Sequence, residues 1–237
     1  MMTIEEVLNK FRQAHPLADT KIIEQAHQFA KEAHQGQKRL NGESRLEHLL
    51  QTAYVLAKLK LDAASLAAGL LHDVLEYTPV QLPQIKKEFG EEVAFLVEGI
   101  TFVEKIKYRQ QEKETAKQAE NLRKIFLAMA KDIRVILIKL ADRLHNMKTL
   151  EALPEEKQKK LAFGTLEIYA PLAYRLGIGE LKGQLEDLAF VYAYPQEYQD
   201  LVKQVKDRYI QGEKYLQKII PSKTGNHAYS NRFLSDT

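Results

Sequence analysis

The chain has 237 residues, of which 45% are hydrophobic and 28% are charged, and it contains 11 Gly and 7 Pro. These proportions exclude a collagen-like, low-complexity or mostly disordered protein and predict one globular domain, or one and a half. The absence of cysteine excludes disulfides, a thiolate nucleophile and Cys-ligated zinc. The 35 basic and 32 acidic residues are spread along the sequence, whereas a nucleic-acid-binding protein usually concentrates its basic residues.

The sequence also argues against a membrane-spanning or exported protein. No stretch approaches the ~18 consecutive apolar residues of a transmembrane helix. Residues 1–13 include Glu5, Glu6, Lys10 and Arg12 and lack the apolar core of a signal peptide. We therefore expect a soluble, cytoplasmic protein that binds no membrane and no nucleic acid directly.

Apolar residues recur with a period close to 3.6 along most of the chain, and the alternation typical of strands is scarce. This pattern predicts an all-α fold of roughly ten helices. Residues 63–75 are apolar on nearly all sides, which is typical of a deeply buried helix, and Pro79, Pro83 and Gly90 are expected to break the chain after it. The helices are expected at residues 22–33, 46–56, 63–75, 90–100, 121–130, 133–147, from 154 onward, 181–193 and 196–219.

Two segments depart from this helical pattern. Residues 104–120 mix both charges without a clear period, so we predict a partly irregular and mobile segment, which is the best candidate for a lid. Residues 221–237 are polar, aperiodic and poor in aliphatic side chains, so we predict a tail without a core of its own.

Ionisable residues lie at the polar ends of the apolar helices. His72 and Asp73 end the most buried predicted helix, His48 lies on the helix before it, and Asp142 follows the apolar run 135–141. A buried carboxylate needs a partner or a metal ion. Two imidazoles and two carboxylates can converge on one divalent cation, and this mixed donor set suits Mn, Fe, Co, Ni or Zn without choosing among them.

The residues near these four can supply the rest of an active site. Glu76 shares a helical face with His72 and Asp73, where a carboxylate can act as general acid or base on a water molecule. Asn146 and Thr149 follow Asp142 on one face and offer neutral hydrogen-bonding groups.

A polar loop at residues 36–43 adds two cations, Lys38 and Arg39. A guanidinium such as that of Arg39 can pair with a phosphate or stack on a base.

Simpler interpretations exist for several histidines. His145 can be a ligand in place of Asp142 or a core histidine with satisfied hydrogen bonds, and we favour the core role. His27 and His34 are predicted to pack or cap a helix. A single His-Asp pair arises often by chance, so the prediction depends on His48, His72, Asp73 and Asp142 together.

These residues fall within longer motifs, at residues 33–39 (AHQGQKR), 70–76 (LLHDVLE), 138–150 (IKLADRLHNMKTL), 170–178 (APLAYRLGI) and 185–190 (LEDLAF). The motifs resemble the HD phosphohydrolase superfamily and, more narrowly, the hydrolase domain of Rel/SpoT-type alarmone enzymes of the stringent response, over about residues 3–219. The resemblance implies an all-α fold that binds Mn²⁺ and hydrolyses the 3′-pyrophosphate of (p)ppGpp to GDP or GTP and pyrophosphate.

The resemblance also implies roles for single residues. It makes His48, His72, Asp73 and Asp142 the metal ligands and Glu76 the catalytic carboxylate. Substrate binding falls to four residues: Lys38, Arg39 on or near the guanine, and Asn146 and Thr149 facing the nucleoside.

The same resemblance predicts three parts of the chain. Residues 1–195 are expected to be the hydrolase domain, 196–220 a linking helix towards a synthetase domain that this chain lacks, and 221–237 a tail unrelated to the family. A ribosome would be a partner only through C-terminal regions that are absent here.

The motifs depart from the family pattern at a few positions. Tyr77 follows Glu76 where the family usually has an aspartate, Ser44 and Arg45 replace a Pro-Tyr pair, and Leu49 replaces a proline. The loss of the second carboxylate leaves an alternative open, a regulatory domain that binds guanine nucleotides with weakened or no catalysis. A third hypothesis is an HD phosphohydrolase that acts on another nucleotide or phosphate ester.

Overall fold

A computed structural model describes residues 1–104 and 131–219 of the chain. The predicted lid, apart from residue 104, the helix predicted at 121–130 and the tail predicted at 221–237 lie outside the described residues. The chain divides into two compact units, Met1–Ala193 and Tyr194–Thr237.

The described residues are helical, which confirms the predicted all-α class. Residues 1–104 and 131–219 contain no β-strand, only an antiparallel bridge between Lys38 and Ser44. In the first unit the helices are α1 (Ile4–Ala14), α2 (Lys21–Ala33), α3 (Arg45–Lys58), α4 (Ala63–Leu71), α5 (Val74–Tyr77), α6 (Leu82–Glu104), α7 (Ile133–Lys148), α8 (Glu155–Gly164), α9 (Ala170–Arg175) and α10 (Gly179–Ala193). A 3₁₀ turn, Leu150–Ala152, follows α7, and a π turn, Thr165–Tyr169, joins α8 to α9; the second unit contains α11 (Pro195–Ile219).

Short polar residues start several of these helices. The Thr3 hydroxyl accepts a hydrogen bond from the Glu6 backbone N–H, and the Glu6 carboxylate accepts one from the Thr3 backbone N–H. Ser44 caps α3 and Asp62 caps α4 in the same way, each through its side-chain oxygen. Such caps satisfy N–H groups that the first helical turn leaves unpaired, so the start of each helix is fixed locally.

Helix α4 lies at the centre of the first unit, in contact with α2, α3, α6 and α7. Its Leu66, Leu70 and Leu71 side chains are fully buried. Gly69 faces α3 so closely that a Cβ atom there would lie 2.5 Å from Cδ1 of Leu56. Glycine therefore permits the close approach of the two helices that carry His48 and His72.

The helix predicted over residues 63–75 is interrupted in the structure. Helix α4 ends at Leu71, and α5 begins at Val74, so His72 and Asp73 lie at the junction. The side chains of both residues bond to other groups there, and the carbonyl of Asp73 accepts hydrogen bonds from the N–H groups of Glu76 and Tyr77. Pro83, predicted as a break, lies inside the first turn of α6, while Gly90 kinks that helix with φ 85°.

Arg134 joins three helices at one point of the first unit. Its guanidinium bonds to Asp62 at the start of α4, to Asp132 at the start of α7 and to Glu92 in α6. Within the described ranges, no helix combines the length and the apolar character needed to cross a bilayer.

Candidate metal centre and adjoining cavity

Two histidines face each other across the α3–α4 contact. His48 lies in α3 and His72 directly follows α4, and their Nε2 atoms are 3.3 Å apart. Nδ1 of His72 lies 2.8 Å from the carbonyl oxygen of Gly69. Because a carbonyl can only accept a hydrogen bond, Nδ1 carries a proton, and Nε2 is left to face His48 and the carboxylates.

Two carboxylate oxygens complete the group of donor atoms. Oδ1 of Asp142, from α7, lies 3.1 Å from Nε2 of His48 and 3.6 Å from Nε2 of His72. Oδ1 of Asp73 lies 3.2 Å from Nε2 of His72. We call these four residues the donor cluster; the structure brings together the four side chains that the sequence analysis singled out as ligands.

The donor cluster fits a divalent cation. All four residues are buried, and the ligand atoms of His48, His72 and Asp73 lie within 4.8 Å of one another. Neighbouring donor atoms 3.1 to 3.6 Å apart match the spacing of adjacent ligands around a cation with bonds of ~2.0–2.2 Å. Two imidazole nitrogens and two carboxylates that face one buried point require a positive charge between them.

The pKa values of the donor cluster also indicate that a positive charge is needed between its donor atoms. Burial would lower the pKa of His72, but the nearby Asp73 and Asp142 carboxylates outweigh it and raise that pKa to about 9. Burial also lowers the pKa of His48, and in this case the raising effect of Asp142 does not outweigh it. Burial would raise the pKa of Asp142, but Lys139 and both histidines outweigh burial and hold that pKa well below its usual range. Without a cation, the cluster therefore retains a proton on His72.

His145 lies beside the donor cluster and outside its set of converging atoms. Its Nδ1 atom is 2.8 Å from Nδ1 of His48, and its Nε2 atom is 3.6 Å from Oε1 of Glu43. Burial, followed by the charges of His48 and Arg39, lowers the pKa of His145 to about 3, so its ring is neutral. Nδ1 of a neutral His145 accepts a hydrogen bond from the Nδ1–H group of His48 and so orients that ring, as partners of metal-ligating histidines do.

Asp142 is held on both sides. Nζ of Lys139 bonds to Oδ2, and Nδ2 of Asn146 donates to Oδ1 at 2.8 Å. The side chain of Lys139 is only 3% exposed. Sequence reasoning assigned no role to Lys139, although a lysine inside the apolar run 135–141, one turn before an aspartate, was a readable signal of a buried pair.

A cavity of about 280 Å³ opens next to the donor cluster. Its polar lining includes Arg39, Asn41, Arg45, Tyr77, Asn146 and Thr149. Nη2 of Arg39 donates to Oδ1 of Asn146 at 2.6 Å, so the loop before α3 and helix α7 meet at this wall. Of the residues predicted to bind substrate, Arg39, Asn146 and Thr149 line the cavity.

The structure does not bring Lys38 to the cavity lining. Its side chain is exposed, and its backbone forms the bridge to Ser44. Glu76 is exposed on α5, one turn after Asp73, and is not among the described residues that form the tight group of ligand atoms.

Arg45 is a second residue that sequence reasoning left without a role. Nη1 of Arg45 donates to Oδ2 of Asp73 at 2.6 Å. The guanidinium lies over the ring of Tyr77, 3.7 Å from its centroid. Two of the positions that depart from the expected motifs, Arg45 and Tyr77, are therefore in contact with each other although they lie far apart in sequence.

Comparisons with known proteins agree with this geometry. A family model described as HD domain matches residues 26–179. The chain is 49% identical over 205 residues to a GTP pyrophosphokinase of Myxococcus xanthus, covering 86% of this chain and 27% of that protein. It is 48% identical over 219 residues to a guanosine-3′,5′-bis(diphosphate) 3′-pyrophosphohydrolase of Aquifex aeolicus (strain VF5), covering 92% of this chain and 30% of that protein. The chain thus spans less than a third of the length of these relatives.

A solved structure shares the fold. It is that of a metazoan ortholog of SpoT that hydrolyzes ppGpp, and it superposes with a TM-score of 0.56 at 24% identity, covering 72% of this chain and 95% of the other. The resemblance to Rel/SpoT-type proteins predicted from the motifs is confirmed by these matches.

Proposed function

The chain belongs to the HD domain family, and on that premise we propose that it hydrolyses the 3′-pyrophosphate of (p)ppGpp, giving GDP or GTP and pyrophosphate. The observation that carries the proposal is the convergence of four buried donor atoms, from His48, His72, Asp73 and Asp142, beside a polar cavity. The names of the relatives, a 3′-pyrophosphohydrolase among them, support the choice of substrate.

The reaction adds one water molecule across one bond. The water oxygen forms a bond to the phosphorus attached to ribose O3′, the P–O3′ bond breaks, and O3′ takes up a proton as pyrophosphate leaves. A divalent cation held by the donor cluster, which we propose to be Mn²⁺, would stabilise charge on phosphate oxygens and acidify a water molecule. Both products are then formed without any change in oxidation state.

The protein's own residues supply binding and proton transfer in this proposal. Glu76 accepts a proton from the attacking water, and its exposed position on α5 lets solvent carry that proton away. Arg39 stacks on the guanine from the cavity wall, where its hydrogen bonds to Asn146 and His145 fix its plane. Asn146 and Thr149 face the nucleoside, and Lys38 approaches only the outer edge of the bound nucleotide.

We also propose that residues 1–195 form the hydrolase domain and that residues 196–220 link it to further sequence in longer relatives. The donor cluster and the lining of the cavity lie entirely between residues 39 and 161, which supports the first part of this division.

The proposal is tested by incubating the Mn²⁺-loaded chain with ppGpp and measuring GDP and pyrophosphate. We expect the two products in equal amounts. Asp73→Asn should lose bound Mn²⁺ and turnover, whereas the same change at the exposed Asp187 in α10 should affect neither. If the folded, Mn²⁺-loaded chain releases no pyrophosphate, the hydrolase proposal is wrong, and binding of ppGpp without turnover would favour the regulatory alternative.

A further inference from the structure

Arg45 connects the donor cluster to the cavity. Its Nη1 atom bonds to Oδ2 of Asp73, whose other oxygen, Oδ1, faces His72 within the cluster. Arg45 also belongs to the cavity lining. Its positive charge therefore lies at the boundary between the proposed cation and the proposed substrate.

The hydrogen-bonding capacity of Arg45 is largely unused. A guanidinium has five N–H donors, and the bond to Asp73 takes up one of them. Nε of Arg45 is buried and has no hydrogen-bond partner anywhere in residues 1–104 or 131–219. Buried donors are normally paired, so an unpaired one beside a cavity points to an acceptor that arrives with a ligand.

Arg39, the other cationic residue among the described lining residues, already has hydrogen-bond and ion-pair partners within the protein. Arg39 bonds to Asn146 and His145, and Nη1 lies 3.9 Å from the carboxylate of Glu43. Among the described lining residues, Arg39 and Arg45 are the two cationic ones, and Arg45 alone of these two bonds to a residue of the donor cluster. A phosphate held next to the cluster would thus meet Arg45 first.

The ring of Tyr77 packs against the guanidinium of Arg45 and so holds its positive charge in place. The central carbon of the guanidinium lies over the ring at 3.7 Å from its centroid, a cation–π contact. The backbone carbonyl of Tyr77 accepts a hydrogen bond from the side chain of Gln37, whose oxygen in turn lies 2.9 Å from Nδ1 of His34. The backbone of Tyr77 is therefore anchored to the loop that also carries Arg39.

We propose that Arg45 binds the phosphate groups that leave as pyrophosphate, and that Tyr77 is a positioning residue that holds the Arg45 guanidinium by stacking. This inference rests on the proposed function. The positive charge of the Arg45 guanidinium offsets the negative charge that grows on the phosphate oxygens as the P–O3′ bond breaks.

Titration calorimetry of the Mn²⁺-loaded chain with pyrophosphate and, separately, with GDP tests the inference. Arg45→Ala should weaken pyrophosphate binding at least tenfold and change GDP binding less than twofold. Tyr77→Leu should weaken pyrophosphate binding several-fold, and Tyr77→Phe, which keeps the ring, should recover most of that loss. Arg175→Ala and Tyr174→Leu, exposed residues of α9, are the matched controls.

Metal content and thermal midpoints measured on each variant separate phosphate binding from a merely structural role. If Arg45→Ala loses Mn²⁺, Arg45→Lys and Tyr77→Leu decide, since neither removes a partner charge from Asp73. Unchanged pyrophosphate affinity in these Mn²⁺-loaded variants overturns the inference. So does a gain of turnover in Tyr77→Asp, because that result would mean that a second carboxylate was missing at this position.

The outcomes also distinguish this inference from the proposed function. A chain that binds pyrophosphate through Arg45 but does not turn over ppGpp refutes the hydrolase proposal and leaves the phosphate-binding role standing. A chain that turns over ppGpp equally well with alanine at position 45 refutes the role of Arg45 alone.

Discussion

Gly69→Ala tests the close contact between α3 and α4 on which the donor cluster depends. In an open helical position, replacing Gly by Ala stabilises a helix by about 1 kcal/mol. At Gly69 the added Cβ would lie 2.5 Å from Cδ1 of Leu56, about 1 Å inside an ordinary contact, and Leu56 is fully buried. Overpacking of this kind costs about 1–3 kcal/mol, so we expect a net loss of about 0–2 kcal/mol in the free energy of unfolding.

The matched control is Gly183→Ala in α10, where an added Cβ meets no atom within 4 Å and should stabilise the protein by about 1 kcal/mol. In a Leu56→Ala background the clash at Gly69 disappears, and Gly69→Ala should become stabilising. Urea unfolding of the four variants measures these values, and calorimetry with Mn²⁺ should show weaker cation binding for Gly69→Ala alone. If Gly69→Ala in the wild-type background stabilised the protein by about 1 kcal/mol, as in an open helical position, the close contact between α3 and α4 would be refuted.

Three further predictions follow from the donor cluster and the cavity. His72 has a folded-state pKa raised from 6.5 to about 9, so its stabilising contribution is complete below pH 6.5 and is lost as the pH rises through 9. The unfolding free energy of the metal-free protein should therefore fall by on the order of 3 kcal/mol across that window, and saturating Mn²⁺ should abolish the fall because the cation replaces the proton. Lys139→Met removes the buried partner of Asp142 and should destabilise the metal-free protein by about 3 kcal/mol, with a smaller loss, measured by urea unfolding, once Mn²⁺ is bound. Arg39→Ala should weaken GDP binding tenfold or more while Mn²⁺ affinity stays within twofold, and equal losses of both in calorimetry would contradict the separation of the two sites.

The fold was largely predictable from the sequence because the core has a helical period. Apolar stripes at residues 46–56 and 133–147 correspond to α3 (Arg45–Lys58) and α7 (Ile133–Lys148) within a few residues. The break at His72 and Asp73 was not predictable from hydrophobicity, because both residues lie inside an apolar run. The side chain of His72 bonds to the Gly69 carbonyl and that of Asp73 bonds to Arg45, and such contacts leave no periodic signal.

The sequence was sufficient to predict the four donor residues of the candidate site, but not the residues that contact them. His48, His72, Asp73 and Asp142 could be identified because ionisable residues at the ends of apolar helices are rare and need compensation. Arg45 and Tyr77 lie far apart in sequence, and their stacking became visible only in three dimensions. His145 was predicted as a core histidine with satisfied hydrogen bonds in preference to a ligand, and the structure buries it with Nδ1 bonded to His48 and Arg39.

Arg39 and Asn146 bond to each other; Arg39 also bonds to His145 beside the donor cluster, and Asn146 also bonds to Asp142 within it. A ligand that moved Asn146 on entering the cavity would therefore disturb a hydrogen bond of Asp142 in the cluster. Linkage is reciprocal: any factor by which a bound nucleotide tightens the hold on the cation is the same factor by which the cation tightens the hold on the nucleotide.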